Sequence, residues 1–250
     1  MQEKSNRQRD KQQTGNCYLC GKLAILSFEH IPPQCAFNNK PILVQGHEQL
    51  IEKNSYLYGK KKRSQRGFGK QSLCVTCNNN SGNWYAKDFC KFAEQGWKIL
   101  KANKVPEYVL GSYEIKPLNV LKQILMMFVA TDSTGVIGNI SGVKDYLLNK
   151  ESTRFPDKIN IHIYSNASPT KRMIGYCVVG DMGTNEIYKW AEINYHPFGY
   201  FFTYDSPPPN EFMVDITDFT KVPFDKEYKV ELTTAYLKVE NVIIGNYGNI

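Results

Sequence analysis

The chain has no apolar run long enough to cross a bilayer. Its strongest, Ile124 to Ala130, falls far short of the roughly 20 residues that such a span needs. Met1 to Asn16 is almost wholly polar, so no apolar leader is expected there. No internal repeat and no heptad run appear, which argues against a solenoid or a coiled coil. Charged residues are only 22% and apolar residues 42%, a balance that excludes global disorder. Cysteine is sparse and odd in number, seven in all, so a fully paired disulfide framework within the chain is excluded.

What is present is uneven. Residues 1–104 carry 18 Lys/Arg against 7 Asp/Glu, whereas residues 105–250 carry 13 against 17. A basic half joined to a mildly acidic one is the footprint of a polyanion-binding unit attached to something else. Four of the cysteines form two matched pairs, Cys17-Tyr-Leu-Cys20 and Cys74-Val-Thr-Cys77, and all four fall in the basic half. Two such knuckles supply the four thiolates of a tetrahedral Zn²⁺ site, and four thiolates leave no open position, so the zinc is expected to be structural. The remaining Cys35, Cys90 and Cys177 stand among apolar or aromatic neighbours and read as free, buried small hydrophobes. Zinc thiolates with leftover thiols suit a reducing compartment, so the expected location is cytoplasmic, without a membrane partner.

Three units are expected. Residues 1–15 read as a flexible polar tail, 16–104 as a zinc-stapled unit and 105–250 as an accessory unit of open role. In the zinc-stapled unit a strand is expected over Leu23–Phe28, a hairpin around Gln49–Tyr58 and a helix after Cys77. There Trp84/Tyr85, Phe89, Phe92/Ala93, Trp97 and Leu100 recur at helical spacing as a core stripe. Val105–Pro117, with two prolines, reads as a connector. Helices are expected over Leu118–Ala130 and Val143–Asn149. Strands follow at Ile159–Tyr164, Met173–Val179, Ile187–Tyr195, Phe198–Tyr204, Phe212–Ile216 and Tyr228–Lys238. The fold class is therefore α+β, the second half a mostly antiparallel sheet with one or two helices.

Between the knuckles lies Glu29-His30-Ile31-Pro32-Pro33, and Asn78 directly follows Cys77. Neighbours on a strand point to opposite faces, so Glu29 and His30 serve one site only if the chain bends, and the prolines supply a bend. Carboxylate and amide oxygens are hard ligands for Mg²⁺ or Mn²⁺, and a neutral imidazole can take a proton from water. Asn79, Asn80 and Asn83 are alternatives to Asn78, and the whole Asn cluster with Ser81 also reads as a helix cap. A basic stretch holds Lys60, Lys61, Lys62, Arg63, Arg66 and Lys70, interleaved with Tyr56, Tyr58 and Phe68. Such a stretch can track phosphates without reading bases. His47 reads as a loop residue, His162 as lying on an exposed sheet face and His196 as part of a turn; none is assigned chemistry.

Cys17-x-x-Cys20, Glu29-His30-Ile-Pro-Pro and Leu73-Cys74-x-x-Cys77-Asn78 together resemble the zinc-containing HNH endonucleases with a ββα-metal core, over about residues 16–100. Glu29 stands where that family more often has Asp, and Lys70-Gln71-Ser72 occupies the stretch of its middle Asn. The resemblance implies a catalytic divalent ion, Mg²⁺ or Mn²⁺, on Glu29 and Asn78, with His30 as the general base. It also implies structural Zn²⁺ on Cys17, Cys20, Cys74 and Cys77, and hydrolysis of DNA to products with a 5′ phosphate. Small bacterial nucleases of this form serve in defence against foreign DNA. RNA stays open as a substrate, as does a homodimer or protein partner on residues 105–250. Two other readings stand beside this one: a non-catalytic, zinc-scaffolded nucleic-acid-binding module, and a zinc clip whose C-terminal half carries the function by interaction.

Overall fold

A computed structural model describes residues 13–103, 107–181 and 186–237. Within these bounds the chain is mixed α and β, with mostly antiparallel sheets and few helices. Strand β1 (Gln13–Asn16) and β2 (Leu23–His30) form a hairpin whose turn carries the first knuckle. Gln13 to Gly15, given to the expected tail, pair instead with Leu26 to Ala24; residues 1–12 lie outside the described residues. A long excursion then holds β3 (Ile42–Val44), α1 (His47–Ile51) and β4 (Lys62–Ser64). The hairpin expected around Gln49–Tyr58 is not there: that stretch is the end of α1 followed by turns, and the strands that pair, β3 and β4, lie outside it. The chain returns as β5 (Gly69–Cys74), which pairs with β2 and completes a three-stranded sheet in the order β1-β2-β5. A bulge between Ser27 and Phe28 shifts the β2–β5 register.

Directly after β5 come α2 (Val75–Ser81), a π-helical turn (Gly82–Ala86) and α3 (Lys87–Ala102). The aromatic stripe is core as expected, for Tyr85, Phe89, Phe92, Ala93 and Leu100 are all buried. Gly96 lets α3 close onto the Phe198 ring, which a Cβ would strike.

The expected connector is instead strand β6 (Tyr108–Ile115), and it pairs along its whole length with β12 (Tyr228–Ala235). Val105 and Pro106 of that stretch lie outside the described residues, and every second residue of the strand is buried, the period-two pattern of a one-sided strand. Helix α4 (Pro117–Thr131) starts with proline at its first turn, where no N–H is needed, and all its residues are buried. It runs through the middle of the molecule. Its Lys122 donates from Nζ to the carbonyls of Tyr146, Asn149 and Lys150 at 2.9, 2.7 and 3.0 Å, and burial pulls its pKa down to about 7. Two short helices follow, α5 (Val136–Asn139) and α6 (Val143–Leu148).

The last layer is a five-stranded antiparallel sheet of β7 (Ile159–Ser165), β8 (Arg172–Asp181), β9 (Glu186–Tyr195), β10 (Phe198–Tyr204) and β11 (Val214–Asp215), in the order β11-β7-β10-β9-β8. Both faces of its centre are covered. Ile161, Ile163 and Phe202 face the main core; Tyr164, Trp190 and Phe201 join Met213, Ala235 and Leu237 in a second cluster. That second cover corrects the exposed position expected for His162, which is only 5% exposed. The main core is continuous from Cys17 to Leu232, so both halves of the chain share it.

Two of the three cysteines read as free thiols are not free. Cys35, in the bend after β2, forms a disulfide with Cys90 of α3, with Cα atoms 5.7 Å apart. The pairing joins residues 55 apart in sequence and depends on tertiary proximity that neither local context announces. Cys177 is free and half-buried. Among the described residues no helix is long and apolar enough to cross a membrane.

Candidate metal centre and the adjoining strand end

The two knuckles meet. Cys17 and Cys20 sit in the β1–β2 turn, closed by Cys17 N to Lys22 O at 3.0 Å and Gly21 N to Cys17 O at 2.8 Å. Gly21 has φ 74°, the left-handed value that glycine tolerates best. Cys74 ends β5 and Cys77 lies in the first turn of α2, so the strand-to-helix junction presents both thiols together. All four Sγ atoms lie within 4.8 Å of one another, and Cys20 Sγ is 3.9 Å from Cys74 Sγ. A tetrahedron with metal–sulfur bonds of about 2.3 Å has edges of about 3.8 Å, so the cluster can hold one metal ion.

The cluster's electrostatics agree. With no cation among them, the thiols cannot all ionise. A hydrogen bond from Cys77 pulls Cys17 down to about 4, while the same bond and burial hold Cys77 protonated. Burial also raises Cys20. A bound cation removes that conflict by favouring the thiolate at every position.

The candidate acid and base occupy the end of β2. Glu29 lies opposite Lys70 and His30 opposite Gly69. The Glu29 side chain is buried, 7% exposed, and its carboxylate has no hydrogen bond or ion pair among the described residues. Burial alone raises its pKa to about 8. The His30 ring meets the Phe28 ring edge-on at 5.0 Å, and its Nε2 is buried without a partner. Burial lowers the His30 pKa, and the Arg66 charge lowers it further against the opposing pull of the Arg66 carbonyl. Gly69 is required here, because a Cβ would collide with the Glu29 carbonyl and the Phe28 ring.

Asn78 reaches this strand from α2. Its Nδ2 donates to Ser27 Oγ at 2.9 Å and to Phe28 O at 3.3 Å, while its Oδ1 accepts no hydrogen bond among the described residues. The amide is thus oriented with nitrogen toward β2 and oxygen available as a ligand.

The basic residues divide. Lys60, Lys61, Lys62 and Arg63 are exposed on the excursion, with Lys60 Nζ 3.0 Å over the Tyr56 ring. The Arg66 guanidinium stands 5.1 Å over the Phe28 ring, which brings it to the strand end that carries Glu29 and His30. Lys70 departs from expectation: its Nζ turns inward and donates to Thr131 O at 2.7 Å, closing the C-terminus of α4 rather than facing solvent. His47 is exposed at the start of α1, 3.7 Å from Glu52, and His196 lies in the β9–β10 turn against aromatic rings. A further group was missed. Lys87, Lys91, Lys116 and Lys150 line a cavity of about 290 Å³ with Asp88 and Asp225. The four are spread over 64 positions of sequence, from 87 to 150, and only the fold gathers them.

Comparison with models of known protein families, with curated proteins and with solved structures finds no match to this chain.

Proposed function

We propose that the chain is a metal-dependent phosphodiesterase acting on DNA, built on a zinc-stapled strand–strand–helix unit of β2, β5 and α2. One observation carries the reading. Glu29 is a carboxyl side chain only 7% exposed, with no hydrogen bond or ion pair among the described residues, next in sequence to an imidazole whose Nε2 is buried and unpartnered among them. Burying an anion without a counter-charge is costly, and a divalent ion there would supply what the side chains lack. The Asn78 amide, fixed to the strand just ahead of Glu29, offers a second hard oxygen. Zinc on the four thiolates would fix the other end of the same unit.

In this reading Glu29 and Asn78 would hold a divalent ion, which would supply positive charge to offset what develops at phosphorus and on the departing 3′ oxygen. The protein's own groups do the rest. Neutral His30 takes the proton from the attacking water, and the hydroxide displaces the 3′ oxygen in line. Burial lowers the His30 pKa, which favours the neutral form that a base needs. Arg66, beside Phe28, adds a fixed positive charge at the strand end. Lys60 to Arg63 and the Lys87–Lys91 face of α3 provide phosphate contacts that do not read sequence.

The test is plasmid nicking with Mg²⁺ or Mn²⁺ by the wild type and by His30→Ala. Cleavage lost in the variant, with zinc content and melting curve unchanged, is the expected result. Equal cleavage by both removes His30 from the reaction; DNA binding without any cleavage favours a zinc-scaffolded binding module.

A further inference from the structure

After β2 the chain bends through residues 31–38, and within that bend Phe37 has φ 65°. A bulky side chain avoids that conformation, which persists only where its surroundings over-determine it. Three restraints do so. Cys35 is bonded to Cys90 on α3. Asn38 is fully buried; its Nδ2 donates to Pro32 O and Phe68 O, and its Oδ1 accepts from Phe68 N, each at 2.7 Å. The Tyr195 hydroxyl lies 3.2 Å from both Phe37 O and Asn38 Oδ1. The result is a Phe37 ring held half-buried at the edge of the core.

That ring lies 6.0 Å from Trp97 and 5.3 Å from His196, and Trp97 is 5.2 Å from His196; all three are half-buried. Lysines flank the group. Lys101 Nζ is 4.8 Å over Trp97, and Lys171 Nζ is 4.9 Å over the neighbouring Tyr195. A cavity of about 570 Å³, within the usual range for small-ligand sites, opens beside Phe37 with Lys87 and Lys91 in its lining. Its lining carboxylate, Glu94, is paired with Lys98 at 2.8 Å.

We propose that Phe37, Trp97 and His196 form a stacking patch for an unpaired nucleobase, with Lys101, Lys171 and the Lys87–Lys91 face taking the flanking phosphates. The proposal rests on the nuclease reading and narrows its substrate class to DNA offering an unpaired base: a single strand, a gap or a flipped nucleotide. Half-buried rings beside ammonium groups suit a polynucleotide, because every base presents a π face and every linkage a negative charge. Burial and the Lys171 charge hold His196 down to about 4, so its ring stacks as a neutral imidazole at physiological pH. Bases inside a duplex already stack on one another and are not on offer. Asn38 ties the bend that carries Phe37 to Pro32, two residues beyond His30 in sequence.

The experiment measures fluorescence anisotropy of labelled oligothymidine and of a blunt duplex, each about 20 nucleotides long, at fixed salt and without added Mg²⁺ or Mn²⁺. Wild type is expected to favour the single strand. Phe37→Ala and Trp97→Ala should weaken single-strand binding about tenfold, leave duplex binding nearly unchanged, and be matched by recovery in Trp97→Tyr. Equal loss on both probes, or no loss on the single strand, overturns the patch. If an alanine variant unfolds, quenching of tryptophan fluorescence in the unaltered protein decides: quenching by oligothymidine but not duplex supports stacking, and no quenching overturns it. A protein that stacks single strands through Trp97 yet never nicks plasmid sinks the nuclease reading alone. An active nuclease indifferent to Trp97 sinks the patch alone.

Discussion

Asn78 donates from its side-chain nitrogen to the main-chain carbonyl of Phe28 at 3.3 Å. The contact joins the helix that carries Cys77 to the strand residue immediately before Glu29, across 50 positions of sequence. It means that the thiol cluster and the acid–histidine strand end are one mechanical unit. Whatever fixes Cys74 and Cys77 also fixes the first turn of α2, and through Asn78 the position of β2.

Replacing Asn78 by Ala should therefore act twice. Loss of the two hydrogen bonds should lower stability by about 1–2 kcal/mol, read from urea denaturation. Loss of the side-chain oxygen should raise the Mg²⁺ or Mn²⁺ concentration needed for cleavage. Asn78→Asp separates the effects, for it keeps an oxygen ligand and removes the Nδ2 donor. An Asn78→Ala protein with unchanged metal requirement removes this residue from the metal site.

Glu29 makes the fold sensitive to pH in an unusual direction. Its pKa is raised by burial to about 8 in the folded chain, above the ordinary carboxyl value expected when unfolded. Between those two values the folded state binds more protons, so stability falls as pH rises through that window. The size is on the order of a few kcal/mol. Glu29→Gln should flatten this slope and stabilise the protein at pH near 8 in the absence of Mg²⁺ or Mn²⁺. Adding Mg²⁺ should raise the melting temperature of the wild type and leave that of Glu29→Gln where it was. Identical slopes in the two proteins would show that Glu29 is solvated.

Cys74→Ser should abolish metal retention, measured as zinc per chain after dialysis, because three ligands remain of four. Its structural effect should spread. Leu73 and Cys77 belong to the same continuous core as α4 and Phe202, so melting should broaden or collapse for the whole chain rather than for an N-terminal piece. Full zinc content and an unaltered melt in this variant would show the cluster to be four thiols in contact and no more.

Local pattern made some of this architecture legible and tertiary contact hid the rest. The paired Cys-x-x-Cys spacings sufficed to bring four thiols together, and the stripe from Tyr85 to Leu100 sufficed for α3, since each is a short-range signal. Strand β6 was obscured because prolines at positions 106 and 117 read as breakers, whereas residues 108–115 between them form a strand. His162 was misplaced because the β7 face that carries Tyr164 is covered by Met213, Ala235 and Leu237, segments remote in sequence that no periodicity on β7 reveals. Lys70 looked like one more phosphate contact, yet its partner is a carbonyl at the end of a helix 61 positions away. The Phe37–Trp97–His196 group draws one ring from each of three distant elements.

The Cys35–Cys90 bond allows a test independent of any activity. Cys35 is exposed and Cys90 half-buried, so a dithiol reductant can reach the pair, whereas Cys17 and Cys77 are guarded by burial and all four knuckle thiols by any metal they hold. Alkylation of the unreduced protein, denatured with chelator present, should label five thiols, and prior reduction should raise the count to seven. Closing a loop of 55 residues removes unfolded-chain entropy worth about 4 kcal/mol. Reduction, or Cys35→Ser with Cys90→Ser, should therefore lower the melting temperature by many degrees while leaving zinc content intact. Because the bond anchors the bend that carries Phe37, the same double variant should also weaken single-strand binding more than duplex binding. Seven labelled thiols without reduction would mean that the bond is absent in solution, and the bend would then be held by Asn38 and Tyr195 alone.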